Sequence, residues 1–168
     1  MDDQRRMFVS ALDLTGEAEL TVLKGDGEGI VRVPIGFDPE ADTVFSVFVA
    51  MSTLAGFADV PGFELVFAIV EASLDGAEVR TYWDGRDTRA LLAEPDLRAR
   101  VRRIILSAVT VLIDELKPNL VSMVTRRRDL PATALIKYHE ICALFRSQGF
   151  TAGKADPWHG QHIWMMTR

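Results

Sequence analysis

Between Leu97 and Leu116 the apolar residues return at spacings of one, three and four, through Val101, Ile104, Ile105, Ala108, Val109, Leu112 and Ile113. Arg98, Arg102 and Arg103 lie off that stripe. This is the pattern of a long amphipathic helix with one buried face. Pro95 suits its first turn, and Lys117-Pro118 ends it. Such a stripe needs a partner surface, and the flanking sequence supplies one. Upstream, Phe63–Ala72 runs into Asp75-Gly76 and returns as Ala77–Trp83. That reads as a β-hairpin with a type I′ turn, in which both central residues take positive φ. Downstream, Leu120–Val124 reads as a short inner strand.

The rest of the chain follows the same punctuation. Phe8–Leu12, Glu19–Leu23 and Ile30–Ile35 are short apolar runs, with Gly25-Asp26-Gly27-Glu28-Gly29 breaking the last two into a hairpin or meander. Asp38-Pro39 suits a helix start, so a helix over roughly 39–56 is expected. The Val- and Phe-rich run Thr43–Leu54 makes a buried strand its competitor, and Gly56 and Pro61-Gly62 close either one. Pro131 opens a second helix with Leu135, Tyr138, Cys142 and Phe145 on one face, stopped at Gly149. Thr151–Arg168 folds back as two strands around Pro157-Trp158-His159-Gly160.

Composition fits one domain with a real core: 168 residues, 48% of them apolar. Met1–Arg6 has no apolar run behind it, and Val44–Ala50 is too short to span a bilayer. The expectation is a soluble, cytoplasmic protein with no membrane partner. The single cysteine, Cys142, excludes an intramolecular disulfide. Charge is uneven. Residues 1–85 carry 5 Lys/Arg and 16 Asp/Glu, and residues 86–168 carry 14 Lys/Arg and 8 Asp/Glu, against a net charge of −5. The two halves can attract each other, or the basic half can meet an anionic ligand.

The order over residues 62–168, from hairpin through long helix, strand, and a helix ending Phe145-Arg146-Ser147-Gln148-Gly149-Phe150, to a closing strand pair, resembles the GNAT-type N-acetyltransferase fold. The resemblance implies a single α+β domain, residues 1–168, with a mixed, mostly antiparallel sheet flanked by helices. It implies acetyl-CoA or another acyl-CoA as cofactor, held between Leu120–Val124 and the strand before the long helix. Backbone groups at Met123, Val124 and Thr125 would hold the pantetheine and thioester, and Arg86, Arg89 and Arg126 the phosphates. Two departures count against ordinary acetyl transfer. The family's phosphate loop, Gln/Arg-x-x-Gly-x-Gly/Ala, is here Arg86-Asp87-Thr88-Arg89-Ala90-Leu91, with Arg89 where the first Gly would stand and carboxylates at Glu94 and Asp96 beside the helix start. Phe145 stands where family members often carry a proton-donating Tyr. Tyr138, two turns earlier, and His139 are then the residues left for proton transfer. A core tyrosine with a satisfied hydroxyl is the alternative for Tyr138. The activity expected is thus an acyltransferase with lost or atypical catalysis, or a non-catalytic binding or assembly module on the same fold.

Other candidates rank lower. Gly25-x-Gly27-x-Gly29 has acidic residues between its glycines and no helix after it, so it reads as a turn. His159 and His162, with Asp156, His139 and Cys142, lack the convergence a metal needs, and no metal is expected. Cys142 lies on an apolar helix face and reads as a small buried residue. Arg126-Arg127-Arg128 could contact phosphate or an acidic partner, with a salt-bridged turn to Asp129 as the plain alternative. The acidic total and the lack of aromatic interleaving speak against nucleic acid. The expected partner is a small molecule or a protein, and apolar early strands would favour a homodimer.

Overall fold

The computed structural model describes residues 6–54, 62–83, 85–128 and 130–168. It is an α+β fold built on one open, mixed and mostly antiparallel sheet. Strands β1 (Val9–Ser10), β2 (Val22–Gly25), β3 (Glu28–Asp38), β4 (Thr43–Thr53) and β5 (Gly62–Ser73) come first. Then follow β6 (Glu78–Tyr82), helices α1 (Arg86–Leu91) and α2 (Pro95–Leu116), and β7 (Leu120–Val124). A 3-10 turn (Ala132–Leu135) leads into α3 (Ile136–Ser147), and β8 (Thr151–Trp158) and β9 (Gln161–Thr167) close the chain. The sheet runs β1-β3-β4-β5-β7-β9-β8, with β2 added to β3 and β6 added to β5.

Side chains alternate as a pleated strand requires. Val31, Val33 and Ile35 of β3, Phe45, Val47, Val49 and Met51 of β4, and Leu65, Phe67 and Ile69 of β5 share one buried face. The apolar stripe of α2, from Leu97 to Ile113, belongs to the same cluster. Helix α3 packs beside α2 and over β8, adding Tyr138, Ile141 and Phe145. Each such Leu, Ile or Phe taken fully out of water stabilises the fold by roughly 1.5–3 kcal/mol.

Two local expectations are corrected. No helix follows Asp38: residues 43–53 are strand β4, paired with β3 and β5 along its length. Asp38 does accept the N–H groups of Glu40 and Ala41, as a helix cap would, but here they close the turn between β3 and β4. The Val- and Phe-rich run beyond prefers the pleat, and tertiary pairing overrides the cap. The second correction is the turn at Asp75-Gly76. Only Gly76 takes positive φ, at 89°, so the turn is not type I′. The Asp75 carboxylate instead accepts the Ala77 N–H at 3.1 Å, holding the loop from its side chain. The expected terminators Gly56 and Pro61, like Asp84 and Asp129, lie outside the described residues.

The end of α3 has a physical explanation in full. The Phe150 N–H bonds the Phe145 carbonyl and the Gly149 N–H bonds that of Arg146, while Gly149 takes φ 89°. The Phe145 and Phe150 rings meet edge to face at 5.0 Å. This is a Schellman cap with its hydrophobic contact.

Strand β5 is the hub of the sheet. One edge pairs with β4 throughout. The other is divided: Gly62–Glu64 runs parallel to β7, and Ile69–Ala72 runs antiparallel to β6. Between them, Leu65–Ala68 has no strand partner on that edge among the described residues.

Candidate functional site

Over that gap lies a groove of about 820 Å³. Its floor is Phe67, Ala68 and Ile69 of β5, and its walls are α1, the first half of α2 and the start of α3. Five cationic side chains line it, Arg86, Arg89, Arg98, Arg102 and Lys137, and no carboxylate does among the described residues. Five of the fourteen Lys/Arg of residues 86–168 thus share one concavity, where low-dielectric walls strengthen the field on an anion.

The five cations are not equivalent. Arg98 donates to the Leu92 and Ala93 carbonyls at 2.8 and 2.6 Å, closing the approach to α2. Arg102 faces Glu140 at 3.7 Å. Lys137 rests over the Phe67 and Tyr138 rings at 5.5 and 5.7 Å. The Arg86 and Arg89 side chains, one turn apart on α1, are exposed and make no hydrogen bond or ion pair among the described residues. Among those residues they are the two groove cations left to a ligand.

The start of α2 is closed to anions. Glu94 occupies the cap position, Pro95 removes an N–H, and Asp96 sits in the first turn. Neither carboxylate lines the groove.

Other sequence-derived candidates fall elsewhere. Arg126 does not line the groove: it faces Glu64 at 3.5 Å and covers the Trp83 ring at 5.0 Å. Met123 and Val124 pair with Trp164 and Ile163 of β9, and the Thr125 N–H bonds the His162 carbonyl at 3.0 Å. Tyr138 is 3% exposed, stacked on Trp164 at 4.6 Å and 5.2 Å from Phe67. His139 is exposed beside the edge of the same Trp164 ring at 6.1 Å. Phe145 is fully buried. Cys142 is buried too, and burial pushes its thiol pKa up, against the smaller pull of Arg146. Arg127 joins Arg80 on Asp87, each at 3.1 Å, so part of the triple-arginine turn ties β7 and β6 to α1. No three His, Cys, Asp or Glu side chains gather as a metal site among the described residues. Among those residues, too, no helix is long and apolar enough to cross a membrane.

Sequence reasoning missed a buried carboxylate. Glu71 has no exposed surface, accepts from Thr43 at 2.8 Å and Tyr82 at 3.2 Å, and faces the Arg6 guanidinium at 3.5 Å. Burial, then the Glu71 charge, raises the Tyr82 pKa. Its signal was a Glu at an inward position of an apolar strand, alternating with Leu65, Phe67 and Ile69. It also missed Trp83 as a groove residue, because ring placement beyond a strand end depends on the tertiary path.

No family model, curated protein or solved structure matches this chain.

Proposed function

We propose that this is an acyl-CoA-dependent N-acyltransferase-like protein, similar in fold to the GNAT-type N-acetyltransferases, whose groove takes the phosphate-bearing end of acetyl-CoA or another acyl-CoA. The observation that carries the reading is the pair Arg86 and Arg89 on one face of α1, whose side chains have no partner among the described residues, in a groove that no described carboxylate lines. Two guanidinium forks at that spacing suit the oxygens of a pyrophosphate. The amide-bearing arm of such a cofactor matches the backbone groups that Leu65–Ala68 leaves without a strand partner. The parallel β5–β7 pair, joined through β6, α1 and α2, supports the same reading. With the amide of Thr125 already bonded to β9, the arm would run along β5 rather than along β7.

Catalysis is atypical or lost in this proposal. Phe145 has no proton to give, and Tyr138 is enclosed by aromatic rings. His139 is the member of the candidate pair that reaches solvent. The burial of Tyr138 and Phe145 favours a second reading, a non-catalytic module that binds the cofactor and does not turn it over.

Thermal unfolding with acetyl-CoA tests the binding step. A ligand at 100 times its Kd adds about 2.7 kcal/mol, a Tm rise of roughly 5–10 °C for a chain of this size. The Arg86→Ala/Arg89→Ala variant should lose that rise. An unchanged Tm of the wild-type protein at millimolar acetyl-CoA overturns the reading. Thiol release in the presence of varied amines then separates an enzyme from a module.

A further inference from the structure

We infer that Trp83 is the stacking platform for the nucleobase of the ligand, so that the groove selects a nucleotide and not merely an anion. The inference rests on the proposed cofactor-binding reading and specifies which half of the ligand Trp83 meets.

Trp83 follows the last residue of β6, and Arg126 follows β7 by two residues. The Arg126 guanidinium lies over the Trp83 ring at 5.0 Å, so the contact bridges the two strand ends that flank the break on β5. Arg126 is itself held by Glu64, the last β5 residue paired with β7. Trp83 lines the groove and Arg126 does not; the cation covers one π-face of the indole, and the other face is assigned to the base. A cation over one π-face fixes the indole and lowers the ordering cost of binding at the other.

The neighbouring chain completes the site. Gly85 takes φ 91° and turns the backbone into α1, placing Arg86 and Arg89 in the same groove as the indole. Trp83, Arg86 and Arg89 thus offer one aromatic surface and two guanidinium groups without a partner among the described residues. A flat apolar base joined to a pyrophosphate has the complementary layout. A sugar phosphate or an inorganic polyphosphate would use the arginines alone.

Calorimetric titration of the full chain with coenzyme A, adenosine diphosphate and inorganic pyrophosphate tests this, in the wild type and in Trp83→Ala and Trp83→Phe. Trp83→Ala should weaken coenzyme A and adenosine diphosphate about 5- to 140-fold, the range that loss of one base–aromatic stack gives. Pyrophosphate affinity should stay within about twofold, and Trp83→Phe should recover most of the nucleotide affinity. Circular dichroism of the Phe variant guards against mere loss of fold. If all three ligands weaken together, or none does, the platform is refuted while cofactor binding stands. If the wild type binds none of the three, the cofactor reading fails and takes the platform with it.

Discussion

Removing the charge of Arg6 is the sharpest test of how the sheet is held. Glu71 is wholly buried on the core face of β5. Thr43 and Tyr82 each give it one neutral hydrogen bond, and the Arg6 guanidinium, 28% exposed, supplies the facing positive charge at 3.5 Å. Arg6→Met keeps the aliphatic stem and deletes the cation. Breaking a buried pair from one side costs about 3–5 kcal/mol, because the remaining charge stays buried. Water reaches Arg6, so the lower end applies, about 3 kcal/mol. With an m-value of about 2 kcal/mol/M, the urea midpoint should fall by about 1.5 M at unchanged slope. Glu71→Gln in the same chain removes the stranded charge; its amide oxygen accepts from one of the two hydroxyls and its NH2 donates to the other, so the double variant should regain at least half of the loss. A single-variant cost under about 0.5 kcal/mol, or no recovery in the double variant, refutes the argument that Arg6 neutralises Glu71.

Three further outcomes follow from the same geometry. The pKa values of Tyr82 and Cys142 are raised, so both groups favour folding while protonated; the stability they contribute is fully present below their unfolded values and is lost as pH rises through the folded ones, so urea midpoints should decline on the alkaline side. Gly149→Ala should cost about 1–2 kcal/mol in Tm measurements, from positive φ alone, since nothing stands within 4 Å of the added Cβ. Phe145→Ala should cost about 3–5 kcal/mol, and Phe145→Tyr should destabilise by burying a hydroxyl without raising thiol release from acetyl-CoA.

Much of the fold was legible because local chemistry and tertiary demand agree. The stripe of α2 carries one dominant period, Leu120–Val124 is a short apolar run after Lys117-Pro118, and the closing pair turns at Pro157–Gly160; the structure places all three there. The signal failed where two rules competed. Asp38-Pro39 offered a helix cap, yet β4 between β3 and β5 gains a full ladder on both edges. The site was less legible. Arg86 and Arg89 stand out as loop arginines, but which cations remain unpaired depends on Glu140 and Glu64, distant in sequence, and on the local path that turns the Leu92 and Ala93 carbonyls to Arg98. The Phe145–Phe150 ending belongs to a helix cap, so part of what made the C-terminal sequence resemble a family is the grammar of stopping a helix.

The divided edge of β5 also makes the strand its own reporter. Every second amide of Leu65–Ala68 points away from β4, with no strand beyond it among the described residues to hold the proton. In hydrogen–deuterium exchange these positions should trade protons quickly in the middle of a strand whose other amides are slow. An occupant that bonds to the backbone would silence them, while one that merely docks on the arginines would leave them exchanging. The central strand can thus distinguish a ligand lying along it from one resting above it, without any label or assay of turnover.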